Sequence, residues 1–152
     1  TTIIISIILL CIDQISKLLV VNLLTKTDSI TIIKNFFYLT YINNDGAAFS
    51  ILVGKRIFLI LIAVLVIVML IRYINNIQNK LELVSISLII GGSLGNLMDR
   101  VIRGYVIDFL DFKIFNYNFP IFNLADTFIV IGVFLLLLKE IRKENNLDSR
   151  NK

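Results

Sequence analysis

The chain has 152 residues, 57% of them hydrophobic, and a formal net charge of +4. Soluble domains use roughly 45–50% apolar residues, and a domain this small has too much surface for its volume to hide the excess, so composition excludes an ordinary soluble domain. There is no histidine and one cysteine, Cys11, which excludes Ser-His-Asp and Cys-His catalysis, an intrachain disulfide and the usual zinc sites.

A spanning helix needs about 20 mostly apolar residues. Four windows qualify, at about residues 3–24, 57–74, 81–101 and 119–138. The fold class expected is therefore an all-α membrane protein of four transmembrane helices, forming one domain over residues 1–152. Arg56, Arg72, Lys80 and Lys139 sit at helix ends, where long basic side chains reach headgroups. The basic balance is read as lipid-facing, not as a nucleic-acid surface. The dense basic tail favours both termini on the cytoplasmic side. The connections then lying outside are rich in aromatic and β-branched residues, which favour strands. Residues 25–55 are expected to form a small extracytoplasmic β-sheet resting on the membrane surface.

Polar residues inside apolar spans are costly and call for an explanation. In the first span Asp13 and Lys17 stand four apart, on one face, and can pair; a purely structural ion pair is the competing reading. Asn44-Asp45-Gly46 is a turn signal, followed by the small residues Ala47 and Ala48. In the third span Gly91 and Gly95 let helices approach closely. Gly92, Asn96, Asp99 and Arg103 share a stripe there, with Arg100 at its edge, and a structural network is again possible. Near the fourth span Pro120 suits a helix start, and Asn123 and Asp126 share a face. Asp126 has no basic neighbour in sequence, which is unusual for structure and useful for acid–base work. Asp108 lies in an apolar stretch just past the third span. A short connection can bring Asp108 and Asp126 to the same membrane face. Two carboxyls in one site share a proton, so one acts as base on water while the other acts as acid.

Five stretches in this order resemble the lipoprotein signal peptidases, the type II signal peptidases of bacteria. They are Asp13-Gln14 with Lys17; Asn44 through Phe49; Gly91-Gly92 through Gly95-Asn96 to Asp99-Arg100; Val106 through Phe109; and Phe122 through Asp126. The resemblance implies a membrane aspartyl endopeptidase that removes the signal peptide of prolipoproteins, cutting before a diacylglyceryl-modified cysteine. It implies Asp108 and Asp126 as the catalytic pair. Substrate-binding or site-supporting roles fall on Asp13, Lys17, Asn44, Gly46, Asn96, Asp99, Arg100 and Asn123. It also implies no metal or other cofactor, a multi-pass place in the bacterial cytoplasmic membrane, contact with membrane lipid, and inhibition by globomycin-type compounds. The residues alone leave three other readings: a small proton-coupled transporter or channel, a Ser-Lys peptidase using Lys17 with Ser16 or Ser6, and a non-catalytic assembly subunit.

Overall fold

The structure, a computed structural model, describes residues 1–24, 29–46, 52–115 and 117–148. Helix α1 spans Thr2–Leu23, strand β1 Ser29–Ile33 and strand β2 Phe37–Asn44. Helix α2 spans Arg56–Tyr73 and runs into a 3-10 turn at Ile74–Asn76; helix α3 spans Lys80–Ile102. Strands β3 (Val106–Ile114) and β4 (Tyr117–Asn118) follow, and helix α4 (Leu124–Asp148) ends the described chain.

Three of these helices are long and apolar enough to cross a membrane: Thr2–Leu23, Arg56–Asn76 and Lys80–Ile102. In α4 the apolar stretch is confined to residues 127–138, between Asp126 and the Lys139-Glu140 pair. Helix α3 is the hub, against which α1, α2 and α4 all pack. It is the most buried of the three membrane-capable helices, and α2 is the least.

Small residues make that packing possible. A Cβ at Gly91 would meet the Leu9 side chain and the Ser6 carbonyl of α1. A Cβ on Gly95 would meet the Asp13 carboxylate, and one on Gly92 would fall on the Ala125 carbonyl of α4. The Gly91/Gly95 ridge expected from sequence thus faces α1, and Gly92 opens the contact with α4. At the far end of α3, Asn79 caps the helix by accepting from the Glu82 N–H at 2.9 Å. The buried Glu82 carboxylate accepts from Tyr73 Oη at 2.6 Å and from Lys139 Nζ at 2.7 Å, tying α2 and α4 to α3.

The four strands form one antiparallel sheet in the order β1-β2-β3-β4. A bulge lies in β2 between Leu39 and Ile42. The connection over residues 25–55 supplies only β1 and β2; the other half of the sheet comes from the third connection. Residues 25–28 and 47–51, including Ala47, Ala48 and Phe49 of the second motif, lie outside the described residues. Val20 and Leu24 at the end of α1 pack against Tyr41, Ile107 and Phe109, fastening the sheet to the helices.

Helix α4 begins at Leu124, later than the residue 119 expected from sequence. Phe122 instead extends the sheet: its N–H donates to the Leu110 carbonyl at 3.2 Å, and its carbonyl accepts from the Leu110 N–H at 2.8 Å. Pro120 therefore precedes the helix by several residues and is not its first turn.

Candidate active site

The apolar residues of β3 split by strand alternation. Ile107 and Phe109 enter the core against α1, while Asp108 and Phe112 fall on the alternate positions of the strand. Phe112 stacks on Phe37 (centroids 4.5 Å) and on Phe122 (5.7 Å), so an aromatic row occupies the face on which Asp108 stands. Asp108 is 3% exposed. Its two oxygens accept from Asn44 Nδ2 of β2 and from Asn123 Nδ2, each at 2.7 Å. Burial first, and the neighbouring Asp126 charge second, push its carboxyl up to about 7, against the pull of those two amides.

Asn123 precedes α4 and caps it. Its Oδ1 accepts from the Asp126 N–H at 2.9 Å, and Asp126 Oδ2 accepts from the Asn123 N–H at 3.3 Å. This is the reciprocal arrangement of a capping box, with each side chain satisfying an N–H that the helix start leaves free. Asp126 Oδ1 accepts from Asn96 Nδ2 of α3 at 2.7 Å. The Asn123 side-chain amide, bonded to Asp108, also lies 3.2 Å from Asn96 Oδ1. Asp108 and Asp126 are therefore joined through two asparagines, one from the helix start and one from α3.

Beneath this pair lies a fully buried ion cluster. Lys17 Nζ is 2.8 Å from Asp13 Oδ2 and 2.8 Å from Asp99 Oδ2, and it donates to Asn96 Oδ1 at 3.2 Å. The other oxygen of Asp13 accepts from the Ala125 N–H at 3.0 Å, one residue before Asp126. Asp99 Oδ2 also accepts from the Ile107 N–H at 3.4 Å, one residue before Asp108. The cluster thus holds the backbone beside both aspartates. Replacing one member would leave an uncompensated buried charge, which costs about 3–5 kcal/mol.

Arg100 closes the outer side. It donates to the Gly46 carbonyl at 2.9 Å, and Gly46 N donates to Asn44 Oδ1 at 2.9 Å. All ten residues singled out from the sequence are accordingly brought into one connected network. Two further members are Gln14 and Arg103. Gln14 Nε2 lies 3.1 Å from Asp99 Oδ1, Arg103 donates to Gln14 Oε1 at 3.1 Å, and Arg103 pairs with Asp99. Gln14 adjoins Asp13 in the first motif, and Arg103 lies on the Asp99 stripe, so both carried a sequence signal. No group of three or more His, Cys, Asp or Glu side chains among the described residues is placed to hold a metal ion.

Comparison with known proteins agrees with the motifs. A family model described as signal peptidase (SPase) II matches residues 5–142. A lipoprotein signal peptidase of Halothermothrix orenii is 48% identical over 136 residues, covering 89% of this chain and 91% of that protein. One from Staphylococcus aureus is 38% identical over 148 residues, covering 96% of this chain and 91% of the relative. The solved structure of a bacterial membrane enzyme superposes with a TM-score of 0.90 at 38% identity, covering 96% of this chain and 90% of that one. A second bacterial membrane enzyme superposes at 0.82 with 39% identity, covering 91% of each chain. The chain belongs to the signal peptidase II family.

Proposed function

We propose that this chain removes the signal peptides of prolipoproteins by aspartyl catalysis, with Asp108 and Asp126 sharing one proton. The observation that carries the mechanism is Asn123, which bonds the Asp108 carboxylate through its side chain and the Asp126 carboxylate through its backbone. Charge balance supports a single proton. Asp13, Lys17, Asp99 and Arg103 sum to zero, and Asp108, Asp126 and Arg100 sum to zero only when one aspartate is protonated. A buried, low-dielectric site favours that neutral state.

In the reaction the ionised aspartate takes a proton from a water, whose oxygen attacks the peptide carbonyl. The protonated aspartate donates first toward the carbonyl oxygen. Collapse of the tetrahedral species breaks the C–N bond and returns a proton to the leaving amine. Asn44, Asn96 and Arg100 surround the reacting centre and supply donors for the substrate backbone and the developing oxyanion. The aromatic row of Phe37, Phe112 and Phe122 gives acyl chains an apolar surface leading to Asp108, which suits a diacylglyceryl-cysteine substrate. Globomycin-type inhibitors are expected to compete for the same place. In this reading α4 is the fourth span, and the sheet and the aspartate pair face the extracytoplasmic side.

The test is cleavage of a diacylglyceryl-cysteine peptide by purified Asp108→Asn, Asp126→Asn and double variants. Each single change should cost about 10²–10⁴ or more in rate, and the double change little more, because the pair acts as a unit. Near-normal turnover by a folded Asp126→Asn enzyme would remove the aspartyl mechanism.

A further inference from the structure

We propose that Arg103 is a positioning residue for the aspartate pair: it supplies the fourth charge of the buried group Asp13, Lys17, Asp99 and Arg103, and so sets the pH at which the pair loses its shared proton. The inference rests on the reading of Asp108 and Asp126 as that pair.

Arg103 is the C-cap residue of α3, where its own N–H donates to the Asp99 carbonyl at 2.8 Å. Its guanidinium reaches back to the Asp99 carboxylate and to Gln14. Asp99 is fully buried, and its second oxygen serves Lys17 and the Ile107 N–H. From there the connections to the pair are short. Ile107 adjoins Asp108 in β3, and Lys17 holds the Asn96 that donates to Asp126.

Two carboxylates, one ammonium and one guanidinium cancel. Without Arg103 the group carries a net negative charge in a medium where Coulomb interactions reach far. The pair is faced by Lys17 from α1, Asn44 from β2, Asn96 and Arg100 from α3, and Asn123 ahead of α4, with Asp99 reaching it through Lys17 and Arg100. Arg103 itself is faced by Gln14 from α1, Asp99 from α3, and Tyr41 of β2 with its neighbour Tyr105. The Tyr41 hydroxyl, pushed up to about 12 by burial and by Tyr105, stays neutral throughout the working range and cannot absorb the change. Loss of the guanidinium is therefore felt at the aspartate pair, which holds its proton more tightly. The Arg103 side chain is 22% exposed, so solvent screens part of the effect. The expected displacement is roughly 0.5–1 pH unit.

The experiment measures kcat/KM for a diacylglyceryl-cysteine peptide against pH, using the purified full chain. An alkaline limb in the wild type and an inactive Asp126→Asn enzyme establish the pair; turnover by Asp126→Asn would remove the reading beneath the inference. With the pair established, Arg103→Gln should move the alkaline limb upward by that amount, and Arg103→Lys should leave it in place. Asp99→Asn reverses the imbalance and should move the limb downward, which keeps the test decisive if Arg103→Gln does not fold. A purely structural Arg103 would lower thermal stability with the limb unmoved. Coincidence of the limb with wild type in folded Arg103→Gln, or in Asp99→Asn, overturns the proposal.

Discussion

Asn123 and Asp126 cap each other across the start of α4, each side chain accepting from the other's backbone N–H, at 2.9 and 3.3 Å. The same asparagine donates to Asp108, so helix geometry and carboxyl placement depend on one residue. Asn123→Ala removes the cap, worth about 1 kcal/mol, and a hydrogen bond to a buried carboxyl, worth about 1.5–3 kcal/mol when the partner is charged. The expected result is a fall of about 2–4 kcal/mol in unfolding free energy in detergent, together with a turnover loss of at least about tenfold. Equal stability and turnover in Asn123→Ala and wild type would show that neither contact matters.

Gly92 and Gly132 separate packing from chemistry. At Gly92 a Cβ would fall on the carbonyl of Ala125, the residue before Asp126; at Gly132 it would meet the Ser85 carbonyl and Ile89 at 2.7 Å, further along α4. Overpacking of this kind costs about 1–3 kcal/mol. Both Gly→Ala variants should lose comparable thermal stability. Only Gly92→Ala should also lose turnover, because only there does the strain fall on the aspartate pair. Equal losses of turnover in both would argue against this placement of the site.

The spans were legible because α1, α2 and α3 are apolar runs ended by charges, and a run of that length has one economical fold in lipid. The candidate site was legible because charges within such runs are few: Asp13, Lys17, Asp99 and Asp126 stand out against their neighbours. The start of α4 was not legible from hydropathy. Phe119, Ile121 and Phe122 are as apolar as the helix that follows, and periodicity over so few residues does not distinguish strand from helix. The Asn123-x-x-Asp126 spacing, read as a cap instead of a shared face, marks the true boundary. The partnership of β2 with β3 depends on a pairing across more than sixty residues, Asn44 with Val106, which no local pattern specifies.

The raised Asp108 carboxyl has consequences for pH. The unfolded chain loses this proton near pH 4, whereas the folded chain keeps it to about 7. Between those values the folded state binds more protons, so the Asp108 contribution to stability is full below about pH 4 and is lost as pH rises through about 7. Wild type should therefore have a lower Tm at pH 8 than at pH 5, and Asp108→Asn should show a smaller difference. Activity should fall over the same alkaline range, as the pair loses its shared proton. These apparent values belong to the pair as a whole. An equal Tm difference in wild type and Asp108→Asn would remove Asp108 as the titrating group.

The proposed function carries an expected orientation. The sheet and the aspartate pair lie at one end of α3, beside Asp99 and Asp108, while Lys80 begins α3 at the other. On the proposed function the substrate is a lipid-anchored peptide cut outside the cell, and the sheet end is then expected to face outward. The basic residues Lys139, Arg142 and Lys143 of α4 then lie inside, as the positive-inside tendency favours. Cys11 is exposed on α1, so it is replaced by serine first to give a background without thiols. Single cysteines are then placed at Asp45, Lys113, Lys80 and Lys143. A membrane-impermeant thiol reagent on intact cells should label positions 45 and 113, and should reach 80 and 143 only after the membrane is opened. Labelling at 143 but not at 45 in intact cells would invert the orientation and place the aspartate pair on the wrong side for its substrate.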